Sequence, residues 1–135
     1  MKIVLKAGKT LLGHAEIADA RTDPPMGCGQ IAFHPSDAYS RVEDLFRQKT
    51  LTSDTVAKRD NAEMAIIDRA LSEFQLSLAT DEGTMLSVAG FTVIDYRTEM
   101  PDEPLILEFV GMSRVQFDLL FPHDYEAYEK SFKSP

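Results

Sequence analysis

Phe74-Gln75-Leu76-Ser77-Leu78-Ala79, running into Thr80-Asp81-Glu82-Gly83, is where the pattern of this chain changes period. Phe74, Leu76 and Leu78 alternate with Gln75, Ser77 and Ala79, which gives an extended strand one strongly apolar face. Just upstream, Ala62, Ile66, Ile67, Ala70 and Leu71 recur at three- and four-residue steps, the spacing of a buried helix face. Asp81-Glu82-Gly83 supplies turn chemistry after the strand. Residues 85–96 then read as a long return strand, bent at Gly90, that closes a hairpin with 74–79.

Working outward, Asp60 or Asn61 caps the helix, with Glu63 three residues after Asp60 as in a capping box. An earlier helix carries Tyr39, Val42, Leu45 and Phe46 on one stripe, starts at a Ser36 or Asp37 cap and ends near Lys49. Residues 50–58, rich in Thr, Ser and Asp, read as a loop. The chain opens with a hairpin, strands 2–7 and 10–17, turning at Ala7-Gly8-Lys9. Gly13 inside its second strand marks a bulge or a close backbone approach. Residues 30–33 form a short strand ending at His34-Pro35, and 105–110 a nearly all-apolar, central one.

Residues 113–121 satisfy two patterns. Val115, Phe117, Leu119 and Phe121 alternate as in a half-buried strand, while Ser113 with Gln116 resembles a capping box; the strand reading is favoured. Tyr125, Tyr128 and Phe132 mark a short terminal helix capped near Asp124. Hairpins on both sides of a helical segment predict one α+β domain over 1–135 rather than a doubly wound parallel sheet. The expected architecture is an antiparallel or mixed sheet of about six to seven strands, two main helices on one face and a short C-terminal helix.

Composition narrows the function classes. The 135 residues are 44% hydrophobic, enough to collapse around a core. With 14 basic against 22 acidic residues the net charge is −8, which argues against a nucleic-acid partner. No run of 18 apolar residues occurs, and the lysine-punctuated start is not a signal peptide, so a soluble, cytoplasmic protein with no membrane partner is expected. A single cysteine excludes a disulfide framework. Residues 95–135 hold nine acids and four bases, whereas the first ten residues carry only Lys2, Lys6 and Lys9; such asymmetry serves subunit approach or plain solvation.

Few residue sets carry chemistry. Cys28, flanked by Gly27 and Gly29, is a candidate nucleophile if a histidine lies within reach, and a small buried hydrophobe otherwise. His34 and His123 are the histidine candidates, each beside a proline at a strand end. His14, His34 and His123 share none of the short spacings of a metal motif, so no metal and no cofactor is expected. The acidic pairs Glu43-Asp44, Asp81-Glu82 and Asp102-Glu103 have the positions of solvated charge, and no glycine-rich phosphate fingerprint occurs.

The most distinctive stretch is Asp23-Pro24-Pro25-Met26-Gly27-Cys28-Gly29. Two prolines fix its backbone and Met26 gives it an apolar tip. It fits either a partner-binding knob formed by Pro24, Pro25, Met26 and Gly27, or a plug that buries Pro25 and Met26; the plug is favoured. With Phe33 and Pro35 it resembles small uncharacterised bacterial proteins that share a DPPMG-type loop, over 13 of the 135 residues. That resemblance implies a bacterial origin and no catalytic assignment. The leading functional expectation is a non-enzymatic interaction or regulatory module that is homodimeric or binds another protein. The alternative is a small enzyme that uses Cys28 or a histidine in a pocket walled by the 23–29 loop.

Overall fold

The computed structural model describes residues 1–56 and 61–132, with side chains for all of these except 53–56 and 61. Burial alternates along β1 (Lys2–Ala7), which sends Ile3 and Leu5 inward and leaves Lys2, Val4 and Lys6 on the outer face. It turns at Gly8 into β2 (Thr10–Glu16). The β1–β2 register shifts between Leu5 and Lys6, pairing Leu5 with Gly13 and Lys6 with Leu11. Leu12 is therefore the extra residue of a bulge, and both it and Gly13 lie inside. Gly13 also supplies the expected close approach: a Cβ there would run into the Phe33 ring and stand 2.6 Å from the His34 carbonyl oxygen.

Segment 19–29 holds more order than a loop. β3 (Arg21–Asp23) pairs with the start of β4 (Cys28–Pro35), and Pro24–Met26 make a single 3-10 turn between them. β4 is the pivot of the sheet. Its first half pairs with β3 and its last residues with β2 along one edge, while β7 (Ile106–Val110) runs along the other. With β5 (Leu76–Thr80) and β6 (Gly90–Ile94), the seven strands form one curled antiparallel sheet in the order β5-β1-β2-β4-β7-β6, with β3 beside β4.

The expected hairpin of 74–79 with 85–96 is reduced to its turn end, where Ala79 bridges Met85 and Thr80 N–H donates to Thr84 O, while β5 and β6 occupy opposite edges of the sheet. Residues 84–89 run between those edges, and their backbone groups change partner on the way. Leu86 N–H donates to the Leu78 carbonyl of β5, the Gln116 side chain takes Ser87 N–H and reaches Met85 O, and Ala89 N–H donates to Val110 of β7. The return strand shrinks to 90–94 as a result.

A 3-10 turn (Asp37–Arg41) leads into α1 (Glu43–Val56), and α2 (Asn61–Ser72) follows. The loop expected at 50–58 is helical through Val56; Thr50, which lowers helix propensity, is held by its hydroxyl donating to the Phe46 carbonyl at 2.8 Å. Ser36 makes no side-chain cap and donates instead to Leu11 O at 2.6 Å. Asp60 and the side chain of Asn61, the two candidate caps, lie outside the described residues. On α2 only Ile67 and Leu71 of the expected stripe are fully buried, while Ile66 and Ala62 face solvent, so the helix presents a narrower face than its sequence offers.

Residues 113–121 contain α3 (Arg114–Leu120), not a strand. Gly111 at φ +68° turns the chain out of β7 where any Cβ would strike Ala89, and Ser113 Oγ accepts from Gln116 N–H. The Ser113 cap therefore decides the element, although the Gln116 side chain turns to residues 85–87 and does not complete a capping box, and half of the alternating apolar set is left outside. Phe117 and Phe121 are buried, whereas Val115 and Leu119 are not. α4 (Asp124–Ser131) begins from His123, which makes no side-chain cap. One continuous core joins the inner sheet face to Tyr39, Val42, Phe46, Ile67 and Leu71 from the helical segment and to Phe117 and Phe121. No helix among the described residues is long and apolar enough to cross a membrane.

Candidate functional site

The 23–29 loop and the first turn of α3 meet at one corner of the molecule. Gly27, at φ +63°, takes the left-handed conformation that closes the 3-10 turn, with its N–H donating to Pro24 O. Met112 N–H donates to Gly27 O at 2.9 Å and Gly111 N–H to Met26 O at 3.3 Å. Thr22 Oγ1 donates to Asp124 Oδ2 at 2.7 Å, which ties the other side of the loop to α4. The loop is thus anchored along its base. Its tip is not buried: Pro25 is exposed and Met26 is 65% exposed, so the plug expected for these two residues is overturned. The chain gains more by pairing the loop's backbone with 111–112 than by folding the tip into a core already filled by Phe109, Phe117 and Phe121.

Beside the tip, Pro24, Pro25, Met26 and Gly27 face Arg114 and Tyr125 across an open groove of about 230 Å³. Arg114 lies 3.3 Å above the Tyr125 ring and pairs with Asp118 at 3.0 Å, so its guanidinium is fixed on the helix. Val115 and Leu119, one turn apart on α3, are 76% and 74% exposed. The corner therefore carries a rigid apolar knob next to a helix with an exposed apolar stripe and a charge of each sign.

The other sequence candidates scatter. Cys28 opens β4 half-exposed, and its thiol donates to Met26 O at 3.4 Å. His34 is six residues further along the same strand, roughly 20 Å away at the rise of an extended chain, so it cannot act as a base for Cys28. His123 heads α4. What the sheet does bring together is His14 and His34, which are register partners on β2 and β4 with ring centres 5.1 Å apart. Among the described residues no group of three or more His, Cys, Asp or Glu side chains is placed to hold a metal ion.

Sequence reasoning missed the main polar cluster. Asp95, fully buried at 0% exposure, accepts from Tyr39 Oη at 3.1 Å and from the Arg97 backbone N–H, Nε and Nη2 at 3.0, 3.1 and 3.2 Å. Arg47 Nε stands 3.4 Å from it, and Glu43 bridges Arg47 and Arg97 at 3.0 and 3.4 Å. Thr50 Oγ1 accepts from Asp95 N–H at 3.0 Å, which fastens α1 to the end of β6. Burial pushes the Asp95 carboxyl up, but the hydrogen bonds from Arg97 outweigh it and hold it below the ordinary carboxylate range. Burial first, then the neighbouring Asp95 charge, drives the Tyr39 hydroxyl far above the ordinary phenol range. The carboxylate has no solvent access, and its bonds to Tyr39 and Arg97 make the cluster a clamp between the 37–41 turn and the end of β6. The signal was legible: period two places Asp95 on the inward face with Val93, where an acid demands a cationic partner.

Comparison of this chain with protein-family models, with curated proteins and with solved structures finds no match, and its function is read from its own residues.

Proposed function

We propose that this protein is a non-enzymatic interaction module that self-associates through the corner formed by the 24–27 knob and α3. The observation that carries this reading is Met26, an exposed apolar side chain on a loop whose backbone is tied down on both sides. An anchored apolar tip loses little conformational freedom on binding, which is what an interface anchor requires. A second copy suits the α3 surface because its pattern is self-complementary. Across a two-fold axis at the level of residue 117 an antiparallel partner helix sets Val115 opposite Leu119, with Arg114 and Asp118 of both copies flanking the seam.

Sedimentation velocity over roughly 1–100 μM, a range that brackets micromolar affinities, tests it. A reversible dimer is expected, and Met26→Asp and Leu119→Asp should each weaken it about thirtyfold, or about 2 kcal/mol. Both side chains are exposed, so neither change should alter the thermal midpoint by more than a degree or two. A wild-type chain that stays monomeric throughout, or a dimer indifferent to both substitutions, overturns the proposal.

The competing enzyme reading has its own check. With its thiol donating to the Met26 carbonyl and bonded to no histidine among the described residues, Cys28 should react with iodoacetamide no faster in the native protein than in the urea-unfolded chain. A native rate tenfold or more above the unfolded one would mark an activated thiol and favour an enzyme.

A further inference from the structure

Among the described residues, the sheet brings together two imidazoles that the linear sequence separates. β2 and β4 pair antiparallel with His14 directly opposite His34, and both rings project to the solvent side, since the flanking Ala15 and Phe33 point into the core. Their centres are 5.1 Å apart and their planes are tilted by 33°, so the rings do not stack face to face. A divalent first-row ion sits roughly 2.0–2.1 Å from each imidazole nitrogen, which places two rings bound at a tetrahedral angle about 5 Å apart centre to centre. The 5.1 Å between the ring centres agrees with that separation.

The neighbouring side chains on this face are short or already paired. Val4 faces His14 from β1, and Ala32 lies two residues before His34 on the same face; both are short and uncharged. Glu16, the nearest acid along β2 on this face, is engaged with Lys2 at 3.8 Å. Two nitrogen ligands on rigid inner strands make a preorganised chelate, while the remaining coordination positions open to water.

We propose that His14 and His34 form an exchangeable two-imidazole site for a late first-row divalent cation such as Ni²⁺, Cu²⁺ or Zn²⁺. Imidazole selects these ions over Mg²⁺ or Ca²⁺, which prefer oxygen ligands. The site lies outside the corner assigned to self-association and does not depend on it.

Calorimetric titration of Ni²⁺ into the tag-free full chain tests the site, with His14→Ala, His34→Ala and His123→Ala run in parallel. One Ni²⁺ per chain is expected, its affinity lowered tenfold or more by either of the first two substitutions, because the second ligand no longer acts at high effective concentration. His123→Ala should bind as the wild type does. With Cu²⁺, electron paramagnetic resonance should report two nitrogen ligands in the wild type and one in each single variant. Absence of saturable Ni²⁺ binding overturns the assignment. So does unchanged affinity in His14→Ala or His34→Ala, or a loss that follows His123→Ala. His34 is exposed and His14 is partly exposed on the outer face, so urea unfolding of the variants should match the wild type closely; a variant that has lost its fold is replaced by His→Gln at the same position, read by the same criteria.

Discussion

Asp95→Ala should be the most damaging single substitution in the polar part of this protein, lowering unfolding free energy by about 3 kcal/mol in urea titrations at pH 7. The change removes the acceptor of Tyr39 and Arg97 and an ion-pair partner of Arg47, leaving a buried phenol hydroxyl unpaired and two guanidiniums with Glu43 alone. Both arginine side chains are a quarter exposed and can recover some hydration, which keeps the cost near the lower end for a broken buried ion pair. Asp95→Asn retains an acceptor for Tyr39 and the side-chain volume, so it should cost less. The pH dependence has a definite sign. Asp95 is held below its ordinary range in the folded chain, so the native state binds its proton less readily than the unfolded state does. The stabilisation is complete above the unfolded carboxylate pKa of about 3.9 and is lost as pH falls from there through the lower folded value. In Asp95→Asn this contribution to the acid-side slope should vanish. An Asp95→Ala loss under 1 kcal/mol would show that the clamp is dispensable.

Gly13→Ala should cost a comparable amount, about 3 kcal/mol, by a different mechanism. The new Cβ meets the Phe33 ring on one side and the His34 backbone carbonyl on the other. The ring can rotate or shift, but the carbonyl belongs to the β2–β4 ladder and cannot move without disturbing it. Trimming the ring with Phe33→Leu in the Gly13→Ala background should therefore recover part of the loss and give a less-than-additive double mutant. Gly83 provides the contrast: nothing lies within 4 Å of a Cβ there, and only its φ of +95° opposes alanine. Gly83→Ala should cost about 1 kcal/mol. Equal costs at the two positions would mean that backbone conformation, not the close approach, explains Gly13.

Much of the fold was legible because its short-range signals agree. The opening hairpin, the Gly13 bulge, the helical face of Tyr39, Val42 and Phe46, and the inner position of β7 all follow from spacing between neighbours. Where the reading failed, a distant partner decided. Residues 85–89 look like a strand, yet Gln116, far along the chain, takes their backbone groups and steers them across to β7. Val115, Phe117, Leu119 and Phe121 alternate perfectly, but the Ser113 cap and the Gly111 turn outrank that alternation. The candidate site was half visible. Pro24–Gly27 announced a shaped loop, whereas its exposure depends on the space left by Phe109, Phe117 and Phe121, which no local pattern contains. The His14–His34 pairing is a fact of strand register alone, and a one-residue slip would have parted them.

The curled sheet also sets the order in which the chain can finish folding. β1 is synthesised first but is an inner strand, and its second neighbour, β5, joins Val4 to Ala79 across more than half the chain. Until that late segment leaves the ribosome, β1 offers an unsatisfied row of amides and carbonyls to whatever it meets. A nascent chain stalled before β5 should thus be a client of holding chaperones, and refolding from denaturant should be paced by this long loop closure, in milliseconds to seconds rather than microseconds.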